Sequence, residues 1–536
     1  MKDAAAIVQR ISTTRNALSE FFNKTYKLRR LVAGDVDALD DTGGNSDPAN
    51  DKKRESISSH PDILVKDVEE GRSNKLLQSI RTLALQTTHK FPEVEFEDLE
   101  TEEAAVNVGY LKAVLSAPPR GCGAVQQMQR ALLDYLTGGL GFVHIGMRRG
   151  RPIIRAINTL DMAWDLTAPT LADARWMSCT VPGSLGDWIE MFGSKPFAKY
   201  QAKNKDESLD SPLNLEWYYD VEGEGRYKVL FKTGVESIDE QAVFESKTPC
   251  YFEVDGEKIP FLPFETMFFM ELPSVGMPIG LAEQMLPSQI ALWRVEKTIR
   301  ELVDLPSFYE SEDGAFTDDE IKKFESADGP GVHIKRKANK QGMELKTGAP
   351  LTQPLIDWRS YHDRELIAQS GINPFSLGAP VEGTNYAAET RAIEGAAGLM
   401  AGAIAKDNAD FWVRTLRKVL AKGRLYDERA ITITVGDAPS TFGPEFPIGQ
   451  YLMPFAEMVI NEDSTQFQPR EQRIQTAIRD LDVALKVAAI FPNAPAEAFD
   501  DFLRAKGIKN ADAWKKPPEM TGMPMGETAP QVQATA

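Results

Sequence analysis

The residues best able to perform chemistry are few and widely separated in this chain. Its three cysteines, Cys122, Cys179 and Cys250, lie far apart, and no two of them have CxxC spacing. This pattern indicates neither a disulfide framework nor a zinc cluster, and it is typical of a reducing compartment. Cys122 lies in RGCGAV with no identifiable base, and a lone cysteine is more often a packing residue than a nucleophile.

The other potentially catalytic residues have no specific spacing either. The histidines are His60, His89, His144, His333 and His362. Their spacing matches no metal-ligand motif, and the sequence has no GxxxxGK[ST], HExxH or GxSxG motif. Carboxylates are abundant, but no pair of them is specific. Because catalytic groups assemble across distant parts of a sequence, a hydrolase-like α+β enzyme stays an alternative.

Two segments resemble ligand-binding motifs only superficially. The segment DVDALDD resembles a calcium-binding loop, but its fifth position, which should carry an oxygen ligand, is Leu39. Gly139-Leu140-Gly141 would begin a dinucleotide fingerprint, but the third glycine is replaced by His144. We therefore expect neither ligand, and no metal or cofactor.

Composition narrows the class of protein. A chain of 536 residues with 42% hydrophobic residues predicts three or four domain-sized units with a large core. The net charge of −18 argues against a basic surface that coats nucleic acid, although an acidic wall would let a duplex slide past. Simple solubility explains the same charge. No segment has the apolar character of a signal peptide or a membrane span, which predicts a soluble intracellular protein with no membrane partner.

The pattern of apolar residues predicts an α+β fold. An amphipathic helix is expected over 4–31, followed by a mobile acidic loop over 34–60. From 141 to 272 the chain is rich in branched and aromatic residues, which predicts short strands with one helix among them. Further predicted helices span 72–88, 101–116, 123–137, 469–489 and 495–506, and strands span 93–98 and 431–437. The last strand is expected to return to the β-rich block, and the tail from Lys515 is expected to be disordered.

The stretch from Gly280 to Leu420 organises the chain. A helix is predicted over 281–304 and another over 354–370, the latter bounded by Pro354 and Gly371. A loop follows, and then a long helix. Within that helix Gly395, Gly398 and Gly402 form a smooth strip, which suits either a neighbouring subunit or a buried crossing within the chain.

A compact insertion separates the first two of these helices. Thr317 opens a capping-box pattern that predicts a short helix, and VHIKRK and MELKT predict a hairpin. The insertion also contains the most basic segment of this acidic chain. Its basic residues are Lys335, Arg336, Lys337 and Lys340. They suit a solvated face, or else a docking edge or a contact with passing phosphates.

This order of elements resembles the portal, or head–tail connector, proteins of tailed bacteriophages. The resemblance covers most of residues 1–510 and is strongest in GINPFSLGAPVEGTNYAAET. Upstream, INTLDMAWDLTAPTLADARWMS is similar to the family's wing segment. Its matching residues are Asp161, Trp164, Asp165, Asp173, Ala174, Arg175 and Trp176.

The resemblance implies a division of the chain into portal parts. These parts are a wing (1–280), a first stem helix (281–304), a small α/β clip (305–350), a second stem helix (351–371), a tunnel loop (372–387), a long kinked helix that returns to the wing (388–465), a helical crown (466–514) and a disordered tail (515–536). It further implies a homo-oligomeric ring, usually a dodecamer, at one capsid vertex of the virion. Such a ring conducts double-stranded DNA without sequence specificity and hydrolyses no ATP itself, so we expect no catalytic residues.

The implied partners and contact residues follow from the same resemblance. The partners are the terminase large subunit, a head–tail adaptor, and the major capsid and scaffolding proteins, met in the host cytoplasm during assembly. The tunnel loop would present Glu382, Gly383, Thr384, Asn385 and Tyr386 to the DNA. The clip would present Lys335, Arg336, Lys337 and Lys340 to terminase or adaptor. Stem residues that would line the channel or pair between subunits are Arg294, Lys297, Arg364 and Glu365. Besides the enzyme, the alternative is another capsid or tail structural protein.

Overall fold

The structure is a computed structural model of the whole chain. The residues it describes are 4–33, 74–116, 118, 121–148, 150–168, 171–203, 208–221, 226–232, 238–246, 250–254, 257–269, 277–303, 308–310, 316–325, 337, 344–346, 353–371, 387–427, 430–435, 438–443, 445–460, 478, 481 and 498–499. The chain divides into two units, Met1–Gln466 and Phe467–Ala536. All elements named below belong to the first. The predicted loop 34–60, the two last helices and the tail fall outside the described residues, apart from a few single positions.

The described part of the chain mixes helices and strands, which confirms the α+β class. Its helices are α1 (Ala4–Ala17), α2 (Ser19–Val32), α3 (Lys75–Thr87), α4 (Thr101–Leu115), α5 (Ala124–Gly138), α6 (Leu185–Phe192), α7 (Ala198–Lys203), α8 (Leu281–Val303), α9 (Asp318–Glu325), α10 (Gln353–Ser370) and α11 (Ala387–Tyr426). Its strands are β1 (Val94–Phe96), β2 (Leu140–Arg148), β3 (Arg151–Ile157), β4 (Met162–Trp164), β5 (Trp176–Val181), β6 (Leu215–Asp220), β7 (Arg226–Lys232), β8 (Ile238–Glu245), β9 (Tyr251–Val254), β10 (Glu257–Pro260), β11 (Phe264–Phe268), β12 (Phe308–Glu310), β13 (Glu344–Lys346), β14 (Ile431–Val435), β15 (Ala438–Phe442) and β16 (Met458–Ile460).

The β-rich block consists of two main antiparallel sheets. One has the strand order β11-β2-β3, and the other runs β4-β5-β6-β7-β8. In the first sheet Phe142 of β2 pairs with Ile157 on one side and with Thr266 on the other. Strand β2 is buried along most of its length because α5 packs against β2 and β3. The predicted β character of 141–272 is therefore confirmed. The strands of the first sheet lie between a helical layer and the second sheet.

The N-terminal helix differs from the expectation of one helix over 4–31. It is interrupted at Leu18, whose φ of −89° and ψ of 0° lie outside the helical region. The reason is packing, because the two halves face different clusters. Ile7 packs with Trp176 and Tyr218, whereas Phe22 packs with the cluster around Phe142. A change of direction at Leu18 lets both apolar faces be buried.

The strand at 431–435 does not return to the β-rich block, so that expectation was wrong. It pairs with β15 instead, with Ile431 opposite Phe442. The two strands are separated by only two residues, and so short a loop favours a local hairpin over a distant partner. The hairpin packs on α4, where a Cβ on Gly109 would lie 2.7 Å from the carbonyl oxygen of Thr434. A glycine at this point permits the close approach.

The main core lies among α3, α4, α5 and α11. Phe411 and Trp412, adjacent on α11, are completely buried in it. Helix α5 ends at Gly138, and Gly139 caps it in the left-handed conformation with a φ of 83°. Through Phe411 and Trp412, the C-terminal half of α11 is fixed to the helical layer that covers β2 and β3.

Candidate functional site

The two helices predicted at the centre of the chain pair with each other. Helices α8 and α10 match the expected 281–304 and 354–370 to within one residue at each end. Arg359 of α10 reaches Glu296 of α8 at 3.4 Å, and Gln369 donates to the Ser288 hydroxyl at 3.1 Å. Because the higher number on one helix meets the lower number on the other, the two helices run antiparallel. Gly371, with a φ of 62°, ends α10 where the sequence predicted.

One end of this helix pair is anchored in the main core. Leu281 of α8 and Leu366 of α10 are fully buried there. The backbone N–H of Leu76, at the start of α3, donates to the Gln289 side chain at 3.0 Å. Lys75 also forms an ion pair of 3.4 Å with Asp363. The base of the pair is therefore held by α3 through apolar and polar contacts.

The four stem residues proposed from the sequence fall into two groups. Arg294, Lys297 and Arg364 have exposed side chains on the helix pair. The Glu365 carboxylate lies 3.2 Å from Nδ1 of His362, so part of its role is within the chain. The sequence pattern gave no sign that His362 would be buried beside it.

The other end of the helix pair exposes large apolar side chains. On α10 the exposed fraction is 60% for Trp358, 61% for Tyr361 and 40% for Ile356. Both aromatic rings contact the imidazole of His362, with centroid distances of 5.5 and 5.2 Å. Periodicity alone would have assigned such residues to a core. They form an apolar surface that the described part of the chain leaves uncovered.

The insertion between the two helices is described only in part. The predicted short helix is α9, which begins directly after Thr317 as expected. The predicted strand MELKT is β13, which pairs with β12, with Tyr309 opposite Leu345. Its predicted hairpin with VHIKRK stays a prediction, because most of that segment lies outside the described residues. Among the proposed basic contact residues, Lys337 is exposed. Lys335, Arg336 and Lys340 lie outside the described residues, as does VHIKR.

The proposed tunnel-loop residues also lie outside the described residues. They are Glu382, Gly383, Thr384, Asn385 and Tyr386. The helix that follows is described from Ala387 and continues without interruption to Tyr426. Of the predicted glycine strip, Gly402 is exposed, and a Cβ there would meet no atom within 4 Å. Among the described residues, therefore, no other segment crosses closely at Gly402.

The C-terminal half of α11 is fixed to the body by charged groups. The Glu265 carboxylate on β11 is almost buried, 2.7 Å from Lys418 and 3.2 Å from Arg414. Lys418 also donates to the Phe264 carbonyl at 2.6 Å. Charge-assisted bonds of this kind are about twice as strong as neutral ones. The sequence did not predict this contact, because its partners are about 150 residues apart.

A second polar contact lies about two helix turns before Arg414 on α11. The Tyr135 hydroxyl donates to Asp407 at 2.7 Å, and the Asn408 side chain donates to the Thr87 carbonyl at 3.3 Å. Burial raises the pKa of Asp407, and burial together with the Asp407 charge raises the pKa of Tyr135. Tyr135 therefore keeps its proton and serves as a permanent donor.

The segment similar to the portal wing contains an ion pair at a turn. Asp165 accepts from Nε of Arg175 at 2.7 Å and from the Thr167 hydroxyl at 2.6 Å. Burial alone would raise the pKa of Asp165, but the hydrogen bonds from Arg175 and Thr167 lower it to about 2. Trp164 and Trp176 beside it are buried. The Asp165–Arg175 pair thus closes the turn between β4 and β5.

A buried polar cluster surrounds Glu216, and it is relevant to the alternative that this chain is an enzyme. The Glu216 carboxylate accepts from Arg15 at 2.9 Å and from Thr180 at 2.8 Å, and it also accepts from Ser178. Lys232 donates to Thr180 at 2.8 Å. Both carboxylate oxygens are occupied by donors of the same chain, so the contacts fix α1 to the five-stranded sheet.

The single candidates for a nucleophile and a base are Cys122, which is half-buried, and His144, which is buried. Burial raises the pKa of the Cys122 thiol, which keeps it protonated and poorly nucleophilic. Burial lowers the pKa of His144 well below its ordinary value, and its Nε2 lies 2.8 Å from the Tyr219 hydroxyl. Among the residues that the structure describes, no three metal-ligating side chains come together.

Comparison with known proteins returned no family model that matches this chain and no curated protein similar to it. In the described ranges, no helix has both the length and the apolar composition needed to cross a membrane.

Proposed function

We propose that this chain is the subunit of a phage portal ring, the conduit for genome packaging and ejection at one capsid vertex. The observation that carries the proposal is the order of elements from 281 to 426. An antiparallel helix pair encloses a small α/β insertion, and a long helix follows after sixteen intervening residues. This order is that of stem, clip, stem, tunnel loop and long helix in portal subunits.

The contacts of the helix pair are consistent with a subunit that acts only in an assembly. Its base is packed against α3, whereas its far end exposes Trp358 and Tyr361. Exposed aromatic side chains on a rigid helix are typical of a surface that a partner covers. The net charge of −18 suits a conduit, because an acidic surface does not retain the phosphate backbone that passes it.

In this proposal the insertion binds the terminase large subunit first and a head–tail adaptor later. The loop before α11 faces the passing duplex, and the ring is built into the capsid with major capsid and scaffolding proteins. Hydrolysis of ATP belongs to the terminase.

The direct test is the mass of the purified protein. Twelve copies of a 59.4 kDa chain give a particle of about 0.7 MDa, which mass photometry resolves from a monomer. Negative-stain images of the same sample should show a ring with a central hole. A chain that stays monomeric at all salt concentrations, and that turns over a small substrate, would favour the enzyme instead.

A further inference from the structure

The N-terminal half of α10 is exposed on nearly every side. Of residues 353–361, only Leu355 is partly covered, and the other eight are exposed. A helix gains most of its stability in water by burying one face against another element. Half of α10 lacks such a face within the described part of the chain, although it carries Ile356, Trp358 and Tyr361. Among the residues that the structure describes, none covers these side chains, so they form a candidate surface for a second chain.

Helix α8, the partner of α10 in the helix pair, carries exposed cations at the same height, measured along the axis of the pair. The contacts of Arg359 with Glu296 and of Gln369 with Ser288 fix the register of the antiparallel pair. This register places Trp358 level with Lys297, and Tyr361 level with Arg294, to within about two residues or 3 Å along the axis. Both Arg294 and Lys297 have exposed side chains.

We infer that Trp358 and Tyr361 of one chain dock against Arg294 and Lys297 on α8 of a second copy. The inference rests on the proposed ring and names the contact between its neighbouring subunits. A rotation about an axis parallel to the helix pair preserves height, so it brings together residues that lie level on the two helices. Such a contact joins two different surfaces of the same chain, which is the kind of interface that closes rings.

The chemistry of the two surfaces is complementary. Arginine and lysine are attracted to the faces of aromatic rings, most strongly to that of tryptophan. Asp357 is exposed beside Trp358 and adds a negative charge for the same cations. Arg359, next to Trp358 in the sequence, forms an ion pair with Glu296 within its own chain. Beneath the rings, Nε2 of His362 is buried and has no hydrogen-bond partner among the described residues.

The test compares the assembly of two double variants by mass photometry over a range of protein concentrations. Trp358→Ala with Tyr361→Ala removes the aromatic surface, and Arg294→Gln with Lys297→Gln removes the cations. We expect each to raise the concentration needed for half-assembly at least about tenfold, since buried aromatic and arginine anchors dominate such interfaces. Trp358→Phe should restore most of the loss caused by alanine. Leu209→Ala, at a similarly exposed apolar residue far from this helix pair in sequence, is the control and should assemble normally.

Mixing the two double variants sharpens the test. Each retains the surface that the other has lost, so the mixture should form a two-chain species of about 119 kDa that neither variant forms alone, twice the 59.4 kDa chain. Circular dichroism and urea unfolding of each variant confirm that the subunit is folded.

The possible outcomes separate this inference from the proposed function. A wild-type ring that both double variants leave unchanged overturns the inference while the portal function stands, and it assigns the aromatic surface to another partner. A wild-type dimer that is lost in both variants supports the inference and overturns the ring. A wild-type monomer overturns both.

Discussion

Glu265 lies on β11 with its carboxylate facing the long helix α11. It accepts from Lys418 at 2.7 Å and from Arg414 at 3.2 Å, and its side chain is almost covered. Replacing one member of a nearly buried charge pair leaves the other charges poorly compensated. We expect Glu265→Gln to lower the free energy of unfolding by about 1–3 kcal/mol, as measured by the urea midpoint.

The matched control for this change is Glu245→Gln. Glu245 also forms an ion pair, 3.5 Å from Lys228, but half of its side chain is exposed. Exposed pairs contribute little, so this variant should lose less than about 0.5 kcal/mol. Equal losses in the two variants would mean that Glu265 does not fix α11 to the sheet.

The pair of Asp165 and Arg175 predicts a dependence of stability on pH. The folded pKa of Asp165 is about 2, below its ordinary 3.8, so the folded state binds this proton more weakly than the unfolded state. The pair therefore contributes its full stability above about pH 4 and loses it as the pH falls toward 2. Because half of the Arg175 side chain is exposed, we expect a contribution of about 1–2 kcal/mol at neutral pH.

Urea unfolding of wild type and Asp165→Asn from pH 2.5 to 7 measures that contribution. The difference between them should be constant above pH 5 and should shrink below pH 4. Asp210→Asn, at an exposed carboxylate, should differ little from wild type across the range. A difference between wild type and Asp165→Asn that persists unchanged to pH 2.5 would exclude the ion pair as its source.

At the scale of elements, helix α5 is bounded by two glycines with positive φ. Gly123 has a φ of 69°, and a Cβ there would lie 3.3 Å from Cδ of Pro118, a side-chain atom and not backbone. Gly139 has a φ of 83°, and a Cβ there would lie 2.8 Å from the carbonyl carbon of Ile279. Gly123→Ala should cost about 1–2 kcal/mol from the left-handed backbone alone.

Gly139→Ala should cost about 3 kcal/mol or more, because it adds a clash with backbone that cannot move aside. The measurement is the urea midpoint of the two variants under the same conditions. Similar losses at both ends of α5 would show that the segment leading into α8 does not depend on this close approach.

Elements with strong local patterns are predictable from this sequence, whereas their partners are not. The apolar spacing and the flanking Pro354 and Gly371 place α10 to within one residue. Pairing depends on distant parts of the chain, so the hairpin of β14 with β15 differed from expectation, and the pairing of β12 with β13 was not predicted. Leu18 interrupts the first helix for a similar reason, since only tertiary packing distinguishes the faces of α1 and α2.

The candidate interface could be predicted only in part. Arg294 and Lys297 were named from the portal resemblance, as stem residues that would line the channel or pair between subunits, and the structure describes both as exposed. Trp358 and Tyr361 lie at helical spacing with Leu355 and His362, and such a pattern is typical of a core. The structure assigns the covered face to His362 and Leu366 instead, which leaves the two aromatic side chains outside.

At the scale of the whole molecule, the negative net charge and the portal proposal both concern how strongly the protein binds duplex DNA. A conduit for DNA must not neutralise many phosphates, since each neutralised phosphate adds affinity and slows passage. With a net charge of −18, the purified protein should not bind duplex DNA detectably at 0.15 M salt. An electrophoretic shift at that salt concentration would contradict a conduit that the duplex slides through.

The last prediction concerns the loop before α11 and separates assembly of the ring from packaging of DNA. In the proposal, the helix pair α8 and α10 joins neighbouring subunits, while residues 378–386 meet the duplex. Deleting these nine residues should leave the mass of the ring unchanged in mass photometry, because no proposed subunit contact lies among them. The same rings should retain much less DNase-protected DNA in a packaging reaction with the cognate capsid and terminase. A deletion of equal length at the C-terminus, 528–536, is the control and should affect neither property. Rings that fail to form without 378–386 would place that loop in the subunit interface and not at the duplex.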